Sequence, residues 1–129
     1  MTYQELSKKH QDEINDFPMF FAFSAKQMDD GMVQLGVTAF DELCPVGGGG
    51  YIRKSDKQKL LDLFDLIRTE KKAYMEDDSF ALDALSYELE NHEYGHTGDP
   101  TEAMEAVGLD MESERGKRLF KLTKKGLGL

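Results

Sequence analysis

The sequence predicts an α+β fold that is mainly α: a single compact helical domain over residues 1–129 with a small two-stranded β ribbon. Helix-start signals of the form Ser/Thr-x-x-Glu/Gln recur along the chain, at Thr2–Glu5, Ser24–Gln27 and Ser55–Gln58. Apolar residues downstream of them repeat at i, i+3 and i+4 spacing, the signature of a helix with one buried face. Only two stretches, Met19–Phe23 and Tyr51–Arg53, read as extended.

The first helix follows the Thr2–Glu5 box and ends near Asn15, where Phe17-Pro18 stops it. Met19-Phe20-Phe21-Ala22-Phe23 is short, aromatic and strand-like. Ser24 opens a helix carrying Met28, Met32 and Leu35, which stops at Gly36. Thr38–Leu43 reads as one or two helical turns. Four consecutive glycines, Gly47–Gly50, lose too much backbone freedom on ordering to form a regular element. Their use is positive φ and close backbone approach, with the aromatics of Phe20–Phe23 as the surface lying over them. Tyr51-Ile52-Arg53 then pairs with Phe20–Phe23. The helix after Ser55 has Leu60, Leu61, Phe64, Ile67 and Tyr74 or Met75 as its apolar stripe. A break at Asp77-Asp78-Ser79 precedes a helix with Phe80, Ala81, Ala84, Leu85 and Leu89, its face continuing to His92. Asp99 at N-cap, Pro100 at N1 and Glu102 at N3 start a short helix that Gly108 ends. Asp110 caps the last helix, with Leu119, Phe120 and Leu122 as apolar positions, and Lys124–Leu129 frays.

Composition narrows the function classes. No apolar run approaches the ~20 residues of a membrane span, and the N-terminus lacks an apolar secretory core. The single cysteine permits no internal disulfide and suits a reducing compartment, so a cytoplasmic protein is expected. Net charge is −9, and it is segregated: Ala73–Glu114 holds 13 acids and no Lys or Arg, while Arg115–Lys125 holds six bases and no acid. Such an acidic block disfavours DNA and anionic membranes and favours a basic protein surface. Glu76, Asp77, Asp78, Glu88 and Glu90 form its densest group and are the candidate partner-binding residues.

The segment from His92 to His96 spells H-E-x-x-H. On one continuous helix the two imidazoles would share a face, about 6 Å apart at Cβ, and could share a zinc ion. Glu93 would then be the general base of a metallopeptidase. Gly95 inside the motif and Thr97-Gly98-Asp99-Pro100 after it weaken that helix. A structural zinc held by His92, His96 and Cys44 is the alternative, tying the glycine segment to the helix that ends at Tyr94; Glu88 and Asp99 are the candidates for a fourth ligand. Without metal, His92 is a packed helix residue and His96 a loop residue. Lys54-Ser55 after the glycines is no phosphate loop, because Arg53 stands where that motif has glycine and an extended Tyr-Ile-Arg intervenes. Cys44 has no basic neighbour in sequence to activate it as a nucleophile.

Three stretches, FPMFFAFSAKQ, GGGGYIRKSD and YELENHEY, resemble in order and spacing a family of short uncharacterised proteins from phages and prophages of Firmicutes. The resemblance spans about Glu13 to Leu109. Relatives carry a cysteine directly after N-H-E-Y, where this chain has Gly95 and then His96, so H-E-x-x-H is not that family's pattern. The chain also resembles members of the type II anti-CRISPR pool. That resemblance implies a non-enzymatic inhibitor that binds an RNA-guided effector nuclease, blocking nucleic-acid loading or activation. It implies no direct contact with nucleic acid and leaves the oligomeric state open. The rival readings are a zinc metallohydrolase and a structural or regulatory phage protein.

Overall fold

The computed structural model describes residues 1–129. Seven helices and a three-stranded antiparallel sheet make an α+β fold dominated by helix. The chain divides into two units, Met1–Lys9 with Arg68–Leu129, and His10–Ile67. Two helices, α1 (Tyr3–Asn15) and α3 (Lys57–Met75), contribute residues to both.

In the His10–Ile67 unit the expected ribbon is present and larger than expected. Strand β1 (Phe20–Phe21) pairs with β3 (Gly50–Arg53), Phe20 opposite Tyr51 and Phe21 opposite Gly50. A third strand, β2 (Leu43–Gly47), pairs with the other side of β3, giving the order β1-β3-β2. Two of the four glycines are therefore in strands, against the sequence expectation. Gly47 ends β2, Gly50 begins β3, and Gly48 (φ 59) and Gly49 (φ 81) form the tight turn between them. Positive φ at both central residues is what the right-handed twist of a two-residue hairpin demands, and glycine adopts it without steric cost. Pro45 is tolerated because β2 is an edge strand. The helical turn expected over Thr38–Leu43 shrinks to a 3-10 turn at Phe40–Glu42. As anticipated, aromatics lie over the glycines: a Cβ on Gly49 would sit 2.5 Å from the Phe23 ring, and one on Gly50 3.1 Å from that of Phe21.

Helix α2 (Ala25–Leu35) starts as the capping box requires, with Ser24 Oγ accepting from the Gln27 amide at 3.2 Å. The Gln27 side chain reaches one residue further back than the motif implies and accepts from Phe23 N at 2.7 Å. Gly36 ends the helix at φ 69, and Arg53 Nε donates to the freed Leu35 carbonyl at 2.7 Å. Phe20 packs onto Gly31 and stacks on Tyr51 at 5.5 Å, closing a core with Met32, Leu35, Val37 and Leu43. The third capping box does not form. Ser55 lies in a 3-10 turn, and Gln58 Nε2 donates to Asp62 instead. Of the stripe expected on α3, Leu60 and Met75 are buried, whereas Leu61 and Phe64 are exposed.

The other unit is organised around α4 (Asp78–Asn91), capped by Asp77, whose carboxylate accepts from Ser79 N and Phe80 N. All five of its expected core residues, Phe80, Ala81, Ala84, Leu85 and Leu89, are buried. Ala81 and Ala84 keep the helix surface low, so that α6 (Thr101–Ala106) and α7 (Glu114–Gly126) pack directly on α4. Each fully buried leucine here is worth about 1.5–3 kcal/mol against exposure. Thr2 and Glu5 make the predicted box in both directions, at 3.1 Å each. The cap of α7 is Ser113, not Asp110: Ser113 Oγ accepts from Gly116 N at 2.9 Å, while Asp110 closes the preceding turn. Helix α7 continues to Gly126, Leu127 packs against the core, and Leu129 N donates to the Lys124 carbonyl. No helix is long and apolar enough to cross a membrane.

Candidate functional site

The H-E-x-x-H segment does not lie on one helix. α4 ends at Asn91, His92 is its C-cap, and Glu93 takes a left-handed conformation at φ 54. Glu93 is the one non-glycine residue with positive φ. A separate four-residue helix, α5 (Tyr94–Thr97), carries His96, which is exposed. Glu93 has the φ of a turn, so the common helix face that would bring the two imidazoles to one ion is broken between them.

His92 has other partners. Its Nε2 lies 3.2 Å from Glu88 Oε2, one helical turn back, and its Nδ1 lies 3.0 Å from Glu102 Oε2 on α6. The second oxygen of Glu88, Oε1, accepts a hydrogen bond from Tyr3 Oη at 2.5 Å. A chain of four side chains, Tyr3–Glu88–His92–Glu102, thus joins α1, α4 and α6. A neutral imidazole has one N–H and donates to one of the two carboxylates; an imidazolium donates to both. Burial, and then the hydrogen bond to Glu88, push the Tyr3 hydroxyl well above its ordinary pKa. It stays a donor, which is what the carboxylate beside it requires. The sequence displayed the Glu88–His92 spacing but gave no sign of Tyr3 or Glu102, which arrive through packing.

Both ring nitrogens of His92 face carboxylates, and His96 stands on a different helix. No group of three or more His, Cys, Asp or Glu side chains stands arranged to hold a metal ion. Cys44 is on β2, in the His10–Ile67 unit, with its thiol directed at the Pro45 carbonyl.

The five acids expected to face a partner divide into different roles. Glu88 is buried at 8% exposure and committed to Tyr3 and His92, so it presents no surface; this corrects the sequence expectation. Asp77 is exposed but caps α4. Asp78 is paired with Arg115 and Arg118 of α7, at 3.1 and 3.0 Å. These pairs hold its carboxyl below the usual range, through the Arg118 and then the Arg115 hydrogen bonds. The basic C-terminal run thereby folds back onto the acidic block that precedes it. Glu76 and Glu90 are exposed, as are Glu93, Asp99 and Glu102 beyond α4.

The family model that matches covers residues 2–125, nearly the whole chain, and is described as a family of unknown function, DUF7659. The chain belongs to DUF7659. No curated protein and no solved structure matches it. In this DUF7659 chain the Tyr3–Glu88–His92–Glu102 chain and the surrounding exposed acids both lie inside the matched residues.

Proposed function

We propose that this protein is a non-enzymatic binding protein that presents negative charge to a basic partner protein. The observation that carries the reading is the exposure of the carboxylates Glu90, Glu93, Asp99 and Glu102, in a 42-residue stretch, Ala73–Glu114, without a Lys or Arg. The cations that fold back in ion pairs, Arg115 and Arg118, reach Asp78 at the other end of α4. The H-E-x-x-H residues support the same reading, since Glu93 is in a left-handed turn and His92 is held between carboxylates. The partner class is the type II RNA-guided effector nuclease, whose nucleic-acid channel is lined with positive charge.

The test mixes the purified chain with such a nuclease and follows complex formation by gel filtration and target cleavage in parallel. The expected result is a complex that weakens steeply with salt and is lost in the Glu90→Lys, Glu93→Lys double variant. Binding indifferent both to ionic strength and to those reversals would defeat the acidic-surface reading. Turnover of a substrate that Glu93→Gln abolishes would replace it with a hydrolase.

A further inference from the structure

Helix α7 sorts its cations by type. Arg115 and Arg118 turn toward α4, where Arg115 Nη2 donates to the Met75 carbonyl and both guanidinium groups pair with Asp78. Lys117, Lys121 and Lys125 are exposed and carry no ion pair. Their i, i+4, i+8 spacing lines them along one ridge, about 6 Å per step at 1.5 Å of rise per residue. The opposite face of α7 is spent in the core, where Gly116, Leu119 and Thr123 are buried. Beside the ridge, Phe120, Lys121, Lys124, Lys125 and Leu129 line an open concavity of about 380 Å³. The Phe120 ring is already engaged, with Lys124 Nζ 5.3 Å from its centroid and Tyr94 edge-on at 5.7 Å.

We infer that the Lys117–Lys121–Lys125 ridge docks on the phosphate backbone of double-stranded nucleic acid, without reading its sequence. Lysine ammonium groups are point charges suited to phosphate contact, and the arginine forks that read guanine edges are paired with Asp78. A duplex carries one charge per ~1.7 Å of axis and releases condensed counterions on binding, a gain that a sparse acidic peptide or a second copy of this chain cannot match. Because the apolar face of α7 is buried in the core, the helix is not free to embed it in a bilayer. The inference departs from the composition, whose average of −9 conceals a local cationic row. It is independent of the protein partner proposed above.

The experiment titrates a short fluorescently labelled DNA duplex with the full chain and follows anisotropy at several salt concentrations. Three phosphate contacts give a log–log salt slope of about −2.7, so that a fourfold rise in salt weakens binding about 40-fold. The triple variant Lys117→Glu, Lys121→Glu, Lys125→Glu loses binding at unchanged far-ultraviolet circular dichroism, and the corresponding triple arginine variant retains it. Should the triple glutamate variant fail to fold, single Lys→Gln variants each reduce the slope by about 0.9. No saturable binding by the natural chain at low salt would overturn the inference, as would equal binding by a folded triple glutamate variant or slopes unmoved in the single variants. Tighter association with phosphatidylserine vesicles or with poly-glutamate than with the duplex would overturn it as well.

Discussion

Replacing Tyr3 by phenylalanine isolates the hydroxyl that Glu88 accepts from. The ring contacts survive the change, since Phe80 at 6.1 Å, Tyr87 at 5.6 Å and the Lys71 ammonium at 5.7 Å all address the ring. The Tyr3 amide keeps its bond to Asp83 at 2.9 Å. What is lost is one short hydrogen bond to a buried carboxylate, at 2.5 Å. A bond to a charged group is worth about 1.5–3 kcal/mol, much of it the cost of leaving the buried acceptor unpaired. At about 3–5 °C per kcal/mol for a chain of this size, Tm falls by about 5–15 °C. In urea, with a slope of about 2 kcal/mol per molar, the midpoint drops by about 1 M while the slope itself stays fixed. The same hydroxyl predicts a pH limb. Its folded pKa is raised above the unfolded value of about 10, so its contribution is fully present below pH 10 and is lost as pH rises beyond it. The natural chain therefore loses stability above pH 10 more steeply than Tyr3→Phe. Urea unfolding of Tyr3→Phe, Glu88→Gln and the double variant, at neutral pH and above pH 10, checks both statements. An unchanged midpoint in Tyr3→Phe, or strict additivity in the cycle, would refute the coupling.

At the acid end, Asp78 gives the opposite sign: its pKa is lowered, so its stabilising contribution is present above about pH 4 and lost as pH falls through the depressed value. Asp78→Asn should flatten that limb in acid titrations of stability. Gly31→Ala places a Cβ 2.0 Å from Phe20 Cδ2 and is expected to cost about 1–3 kcal/mol by overpacking, read from a urea melt. Glu93→Gly relieves a left-handed backbone and should raise stability by about 1 kcal/mol, measured in the same way. Gly116→Ala, which would set a Cβ 1.8 Å from the Asp110 carbonyl oxygen, is expected to be severely destabilising, with the helix signal of α7 reporting the loss.

Local physics was legible in the linear order of residues. The Thr2–Glu5 and Ser24–Gln27 caps, the apolar stripe of α4, the stop at Gly36 and the pairing of Phe20 with Tyr51 depend on neighbours a few residues apart or on strong β and aromatic preference. They appear in the fold nearly where the sequence put them. Strand β2 was missed because it begins with the sequence Leu-Cys-Pro-Val, which has weak local preference, and needs β3 beside it to exist. Ser55 was misread because its capping pattern competes with the 3-10 turn that leads Arg53 toward Leu35 and Asp56.

The candidate site divides along the same line. The segregation of charge, the helical character of the chain and the four-residue spacing of Glu88, His92 and His96 can be read from the order of residues alone. What those groups do is set by the fold, because hydrogen-bond partners and charge compensation follow distance in space rather than along the chain. Tyr3 reaches Glu88 across 85 residues, and Arg118 reaches Asp78 across 40. Burial made Glu88 a structural acid, a left-handed turn at Glu93 separated two histidines that the sequence set side by side, and the folding back of α7 divided its cations into arginines facing α4 and lysines facing solvent.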